Sequence, residues 1–391
     1  MEIKTKWNNV FLLASSQALF QTASILVMTL SGMVGLELAT DKSLATLPIA
    51  MISVGTAIMM IPASFIIKKF GQRRAFMIGT LIGVLAGFLA FYGIVQRSFP
   101  LFIIGNMLIG CYQGFAQYYR FTAADSVPEA AKAKAISFVV AGGVVAAIAG
   151  PNLAKYTQHI GEIRFAYSYL SIAMLSVGAF LVILSLSLQK RTVQAIGNTE
   201  EKGRPLLEIV RQKNMLTALV SSAIGYSVMI MIMTATPLAM HHSGHSSDDA
   251  ATVIQWHVLG MFVPSFFTGT LIDKFGVRKL MLAGVIILSL HVTFAMTGTD
   301  FFNFVSGLIL LGVGWNFMFI GGSTLLTKVY TPAEKEKTQA FHDFFVFGII
   351  SISSFSAGAL LNHWGWNGVN LAVIPLLVFA LIKIILSETS R

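Results

Sequence analysis

The chain is short of charge, of acid and above all of cysteine. Charged residues make up 11% of its 391 positions, where an ordinary soluble domain carries roughly 25%, so it is not built to present a water-facing surface over its whole length. The single cysteine, Cys111 in an apolar segment, excludes an intrachain disulfide framework and any cysteine-based metal cluster, and packing is its expected role. No His-Glu-x-x-His helix, Gly-x-Ser-x-Gly elbow or phosphate-cradling glycine loop ending in Lys-Ser or Lys-Thr occurs, so an enzyme is not expected, nor is a cofactor. The net charge of +10 raises the question of nucleic acid. The bases form no continuous stripe, however, and sit in short turns between apolar runs, so no nucleic-acid partner is expected.

What fills the chain is apolar sequence, 55% of all residues with a mean hydropathy of +0.75. Runs long enough to cross a bilayer, about 20 residues each, fall near 10 to 34, 45 to 67, 75 to 96, 100 to 120, 135 to 155, 165 to 188, 215 to 238, 251 to 272, 280 to 298, 301 to 327, 339 to 361 and 368 to 386. The first run continues without a small-residue cleavage site and reads as a span, not a signal peptide. An all-α, multi-pass membrane protein of 12 transmembrane helices is therefore expected. With the N-terminus placed in the cytoplasm, loops on that side hold 21 Lys and Arg against four on the other, Lys42, Arg97, Lys155 and Arg164. That asymmetry predicts both termini in the cytoplasm and residence in the cytoplasmic (inner) membrane.

One motif occurs twice, Lys68-Lys69-Phe70-Gly71-Gln72-Arg73-Arg74 and Asp273-Lys274-Phe275-Gly276-Val277-Arg278-Lys279, 205 positions apart. A basic, glycine-broken turn cannot lie in hydrocarbon, so both copies mark the same topological point of a duplicated chain. The repeat also aligns Gly110 to Pro128 with Gly314 to Pro332. The longest polar stretch lies between spans six and seven. It divides the chain into an N-terminal six-helix bundle at 1–188, a cytoplasmic linker at 189–213 and a C-terminal six-helix bundle at 214–391.

On these motifs the chain resembles the major facilitator superfamily over essentially its whole length. Gly269-Thr-Leu-Ile-Asp273-Lys274-Phe275-Gly276 is similar to the loop signature of that family, whereas the first copy has Ser64 for the glycine and Lys68 for the aspartate. Gly150-Pro151, after a glycine-rich run from Gly142, resembles the antiporter motif of the drug-exporting branch without its following glycines. Asn106 stands where that branch usually has arginine. The resemblance implies two pseudo-symmetric six-helix bundles and a secondary active transporter moving a small organic molecule by alternating access, with proton-coupled efflux as the first reading. Facilitated or proton-coupled uptake of a metabolite or vitamin-like nutrient is the alternative, and a membrane sensor on a transporter fold the remote one. A monomer suffices to build the cavity.

In such folds spans one, four, seven and ten line that cavity. Span four carries Asn106, Gly110, Gln113, Gln117 and Arg120 at i, i+4, i+7, i+11 and i+14, on one helix face. Amides in hydrocarbon are costly, so the stripe faces water, a ligand or another helix. Arg120 lies near the cytoplasmic end, where it can snorkel, pair with Asp125 or touch substrate. Gln17 and Gln21 form a second amide ladder on span one. Tyr226, Trp256, Trp315 and Asn316 complete the candidate substrate-binding set, the aromatics suiting a planar ligand. No carboxylate falls mid-span in a cavity helix, which leaves His257 as the proton-coupling candidate.

Lys68, Arg73, Asp273, Arg278 and Asp343 are candidate gating residues. Asp343 is expected to pair with Lys68 or Arg73 as a latch, and Asp273 to meet the N-terminal end of span five. His241, His242 and His245 in an outer loop are a weak candidate for zinc or copper, with a solvated loop the simpler reading.

Overall fold

The computed structural model describes residues 2–41, 44, 47–188 and 203–387; most of the expected linker, 189–202, lies outside the described residues. The first half contains α1 (Glu2–Leu38), α2 (Leu47–Phe70), α3 (Gln72–Val95), α4 (Phe99–Ala116), α5 (Tyr119–Asp125), α6 (Lys132–Ala141), α7 (Gly143–Thr157) and α8 (Ala166–Leu184). The second contains α9 (Leu206–Val210), α10 (Lys213–His242), α11 (Ser247–Phe262), α12 (Ser265–Phe275), α13 (Val277–Thr297), α14 (Phe301–Leu326), α15 (Lys335–Ala372) and α16 (Ile374–Leu386). Among the described residues eleven helical stretches are long and apolar enough to span a membrane, the last being Lys335–Leu386 with 52 residues. At 1.5 Å per residue that stretch is about 78 Å long, against a hydrocarbon core of about 30 Å. It turns back at Gly365, whose φ of 66° and ψ of −172° leave the helix, and so accounts for spans eleven and twelve.

Among the described residues span twelve is interrupted at Val373, and spans four, five and eight are broken as well. Span four stops at Ala116 and resumes at Tyr119, span five divides at Gly142, and span eight divides before Ser265, where Pro264 can donate no backbone hydrogen bond. In lipid, such breaks persist only where protein or a cavity covers the freed backbone groups.

The duplicated motif folds the same way twice. Gly71 and Gly276 adopt φ 81°, ψ 159° and φ 85°, ψ 150°, a region that admits glycine and few other residues, which is why both turns carry it. Two residues on, each copy spends its arginine on a helix end. Arg73 donates to the Leu184 carbonyl at the end of α8, and Arg278 donates from Nε to the Ile384 carbonyl at 3.0 Å and from Nη2 to that of Ile385, at the end of α16. Cations there oppose the negative end of the helix dipole. Asn9 exchanges hydrogen bonds with the backbone of Ser187, both at 3.1 Å. The start of α1, the ends of α8 and α16 and both basic turns thus share one side of the molecule, hereafter the linker side.

The two halves meet along α2 with α15 and α6 with α12. Ion pairs join them on the linker side, Lys335 with Asp125 and Lys134 with Asp273 at 3.2 Å. Between them Ser137 Oγ donates to the Ser265 carbonyl at 2.5 Å and accepts from the Gly269 amide at 3.0 Å. Glu334, buried beside this contact, receives Arg204 from the linker end through the backbone amide and Nε, both at 2.8 Å, and Nη2 at 2.7 Å. Those bonds hold its carboxyl well below the usual carboxylate range.

Candidate substrate cavity

Between the halves lies a narrow cavity bordered by Gln17 and Gln21 of α1, Gln117 and Arg120 at the break in span four, Val139 and Val140 of α6, and Tyr226, Phe262, Trp315 and Phe319 from the second half. Gln117, Val140 and Phe262 each stand at or within two residues of a helix break, so the breaks aim these side chains inward. The cavity holds about 20 Å³ in this state, room for roughly one water molecule. A roomier groove of about 480 Å³ lies between α13 and α16, but its Val285, Val292, Leu377 and Leu381 lining is apolar and belongs to a different face.

The second half supplies an aromatic wall. Trp315 and Phe319, one turn apart on α14, stack with centroids 5.0 Å apart and planes 12° from parallel. Tyr226 meets them edge-on at 5.4 and 5.5 Å, and Phe262 meets Trp315 at 5.8 Å. The first half supplies amides and a cation. Arg120 is 4% exposed and sits with its guanidinium over the rings of Phe121 at 4.4 Å and Phe319 at 4.7 Å. Its Nη1 donates to Gln117 Oε1, and its Nη2 donates to both oxygens of Asp343, at 2.9 and 2.8 Å. Asp343 is fully buried and also accepts from His342 Nδ1–H at 2.7 Å.

That pairing corrects the expected latch. Asp343 does not pair with Lys68 or Arg73: Lys68 is exposed at the end of α2 and Arg73 is committed to α8, whereas Arg120 is buried with the carboxylate and needs a counter-charge. Asp125, considered as a mate for Arg120, is taken by Lys335. Asp273 does lie against Lys134 near the start of span five.

Of the other candidates, Gln17, Gln21, Gln117, Arg120, Tyr226 and Trp315 come together around the cavity, and four do not. Asn106 is fully buried glue, accepting from Ser31 at 3.0 Å and donating to the Phe102 carbonyl at 2.9 Å. Gln113 accepts from Thr56 at 3.1 Å. Asn316 braces the break in span eight, donating to the Met261 carbonyl at 2.6 Å and accepting from Thr268 at 2.7 Å. Trp256 is 49% exposed on the outer surface. His257 also stands away from the cavity, donating from Nδ1 to the Leu308 carbonyl at 2.8 Å. His245 bonds the Thr299 carbonyl at 2.7 Å, and no group of three metal-ligating side chains occurs among the described residues.

Sequence reasoning missed Phe262, Phe319 and His342. Phe319 is four residues beyond Trp315 and His342 adjoins Asp343, so helical spacing carried a signal for the first and adjacency for the second.

A helical membrane protein with broken spans around a buried polar cavity, closed on one side by ion pairs between two repeats, has the architecture of a membrane transporter. The chain matches the Major Facilitator Superfamily model over residues 11–253 and 218–390. It is 42% identical over 381 residues to the riboflavin transporter RfnT of Brucella anthropi, covering 97% of this chain and 95% of that protein. Similarity to the multidrug resistance protein MdtL of Escherichia coli is weaker, 25% identity over 68% of this chain and 66% of that one. The fold is similar to that of the transporter FucP in its outward conformation, with a TM-score of 0.75 at 15% identity over 97% of this chain and 99% of that chain. A bacterial homologue of ferroportin in its outward-facing state gives 0.74 at 14% identity, over 96% and 98%. The chain belongs to the Major Facilitator Superfamily; it is a transporter and not an enzyme.

Proposed function

We propose that this protein carries riboflavin, or a closely related flavin, into the cell across the cytoplasmic membrane. The observation that carries this reading is the near full-length 42% identity to a riboflavin transporter, and the cavity suits it chemically. A flavin pairs a flat, carbonyl-edged ring system with a hydroxyl-rich tail. The aromatic wall offers faces and edges for the ring, and Gln17, Gln21 and Gln117 offer amides that both donate and accept for the tail. Export, the first expectation drawn from Gly150-Pro151, gives way to uptake on this reading. Gly142 and Gly150 have a packing use in any case: a Cβ on either would lie 2.5 Å from the Ala14 carbonyl oxygen or 2.8 Å from Ile25 of α1.

In the proposed cycle the units 1–188 and 214–391 rock about the cavity, joined by 189–213. The positive-inside asymmetry places the linker side in the cytoplasm, so the described state is closed to the cytoplasm. Arg120 with Asp343, Lys134 with Asp273 and Lys335 with Asp125 form the cytoplasmic gate, and all must part for release. Arg73 and Arg278 brace the ends of spans six and twelve while the halves move. The monomer contains all of these parts.

Counterflow of labelled riboflavin into proteoliposomes tests the reading. Accelerated entry driven by unlabelled riboflavin is expected, and repeating it with an imposed pH gradient separates proton-coupled from facilitated transport. Absence of riboflavin exchange by protein that is folded in the same vesicles would overturn the proposal.

A further inference from the structure

Two donors in the cavity are unpaired, while its one cation is already spoken for. Arg120 Nε and Trp315 Nε1 are buried and have no hydrogen-bond partner among the described residues, and both residues border the cavity, at 4% and 2% exposure. Each of these groups can only donate. A buried donor left without a partner is costly, so a ligand that seats here has to present acceptors such as ring carbonyls.

The remainder of the Arg120 side chain is committed. Nη2 is bound to both Asp343 oxygens, Nη1 to Gln117, and the guanidinium packs against the rings of Phe121 and Phe319. Phosphates and carboxylates are recognised by two parallel N–H groups to two oxygens; with Nη2 on Asp343 and Nη1 on Gln117, Arg120 has only Nε left and no such pair to offer. Arg120 is the only charged residue among those bordering the cavity, and Asp343 cancels its charge. The adjoining His342 binds Asp343 through Nδ1–H, has Nε2 turned to the Ala218 carbonyl at 3.4 Å, and is not among the residues bordering the cavity. A dianionic ligand would therefore lose its hydration and gain no free counter-charge.

We propose that the cavity selects an uncharged, carbonyl-bearing aromatic heterocycle, and that Asp343, by occupying Arg120, is the residue that excludes the phosphorylated form of the same molecule. The proposal rests on the flavin reading. Within it, the dioxo-pyrimidine edge of the ring meets Arg120 Nε–H and Trp315 Nε1–H, and the ribityl tail lies toward Gln17 and Gln21. The vitamin is admitted and its 5′-phosphate is not.

Equilibrium titration of purified protein, read by quenching of flavin fluorescence, tests this without requiring transport. The probes are riboflavin, lumiflavin (the same ring with a methyl group for a tail) and riboflavin 5′-phosphate. Wild-type protein should bind the first two with Kd values within about tenfold of each other, and the phosphate at least about fiftyfold more weakly. Asp343→Asn, which removes the counter-charge from Arg120 and leaves it a single acceptor oxygen, should close that gap at least about tenfold. Trp315→Phe, which keeps the ring but removes the donor, should weaken riboflavin and lumiflavin by a similar factor, about fivefold. Binding of the phosphate as tight as riboflavin in wild type overturns the proposal and leaves the flavin reading intact. An unchanged ratio in Asp343→Asn does the same. Failure of all three probes to bind folded wild-type protein overturns both. Should Asp343→Asn not fold, the wild-type ratio and Trp315→Phe decide.

Discussion

The two walls of the cavity come from equivalent halves of a duplicated chain yet have opposite chemistry. The first half contributes every amide and the cation, Gln17, Gln21, Gln117 and Arg120, beside the small apolar Ala116, Val139 and Val140; the second contributes only aromatics, Tyr226, Phe262, Trp315 and Phe319. The repeat alignment that pairs Gly110 with Gly314 sets Gln117 against Gly321 and Arg120 against Thr324. The turns behave differently. Gly71 and Gly276 share one backbone conformation, and Arg73 and Arg278 brace corresponding helix ends. The two copies thus keep their turns and braces alike while the residues bordering the cavity diverge, which is what the proposed cycle calls for: rocking halves need symmetric hinges, and an amphipathic ligand needs an asymmetric pocket.

The largest effect should come from the buried ion pair that joins the two halves beside the cavity. Asp343→Ala leaves the Arg120 guanidinium buried without its counter-charge, and breaking such a pair costs about 3–5 kcal/mol. The variant should melt well below wild type by thermal unfolding in detergent and lose riboflavin counterflow. Arg120→Leu in the same chain should restore much of the stability and none of the transport. If Asp343→Ala is as stable as wild type, the pair does not join the halves in the way described.

Next in size is the aromatic wall. Trp315→Leu keeps bulk but removes the stacked face and the donor, and a loss of about 1.5–3 kcal/mol, roughly a ten- to hundredfold rise in riboflavin Kd, is expected. Lumiflavin should suffer equally, since the ring is what it shares with riboflavin. Gln21→Leu on the opposite wall removes a hydrogen-bonding tip worth about 1 kcal/mol. It should raise the riboflavin Kd about fivefold and leave lumiflavin unchanged. Equal losses for both ligands in the glutamine variant would erase the division of labour between the walls.

The fold was readable because its signals are written along the chain: twelve apolar runs, a repeated glycine turn and a charge asymmetry between loops. The site was readable only on one helix face at a time. Gln117 and Arg120 were found because they share a stripe, but Asn106 and Gln113 share it too and bond neighbouring helices. An amide stripe says that a helix face needs polar company and does not say whose. Arg120 with Asp343, 223 positions apart, leaves no trace in local pattern, whereas the expected partners are bases with other company: Lys68 is exposed to solvent and Arg73 binds the end of α8. Trp256 and Trp315 look alike in sequence; which of them faces lipid depends on the rotation of each helix, which packing decides.

The smallest effect lies outside both walls and serves as their control. Arg204, at the end of the linker, binds Glu334 beside the gate, and the fold holds the Glu334 carboxyl below its ordinary range. The unfolded chain therefore takes up this proton more readily than the folded one does, and stability rises with pH across the acid limb. The contribution is complete above the unfolded value of about 4.3 and is lost as pH falls from there through the lowered folded value. Glu334→Gln should flatten that limb of the melting curve, with a loss of about 1 kcal/mol or less at neutral pH because Arg204 is partly exposed. Its riboflavin Kd should match wild type. A shifted Kd would mean that the linker clamp reaches the cavity, and the two walls could then no longer be treated as the whole of the binding site.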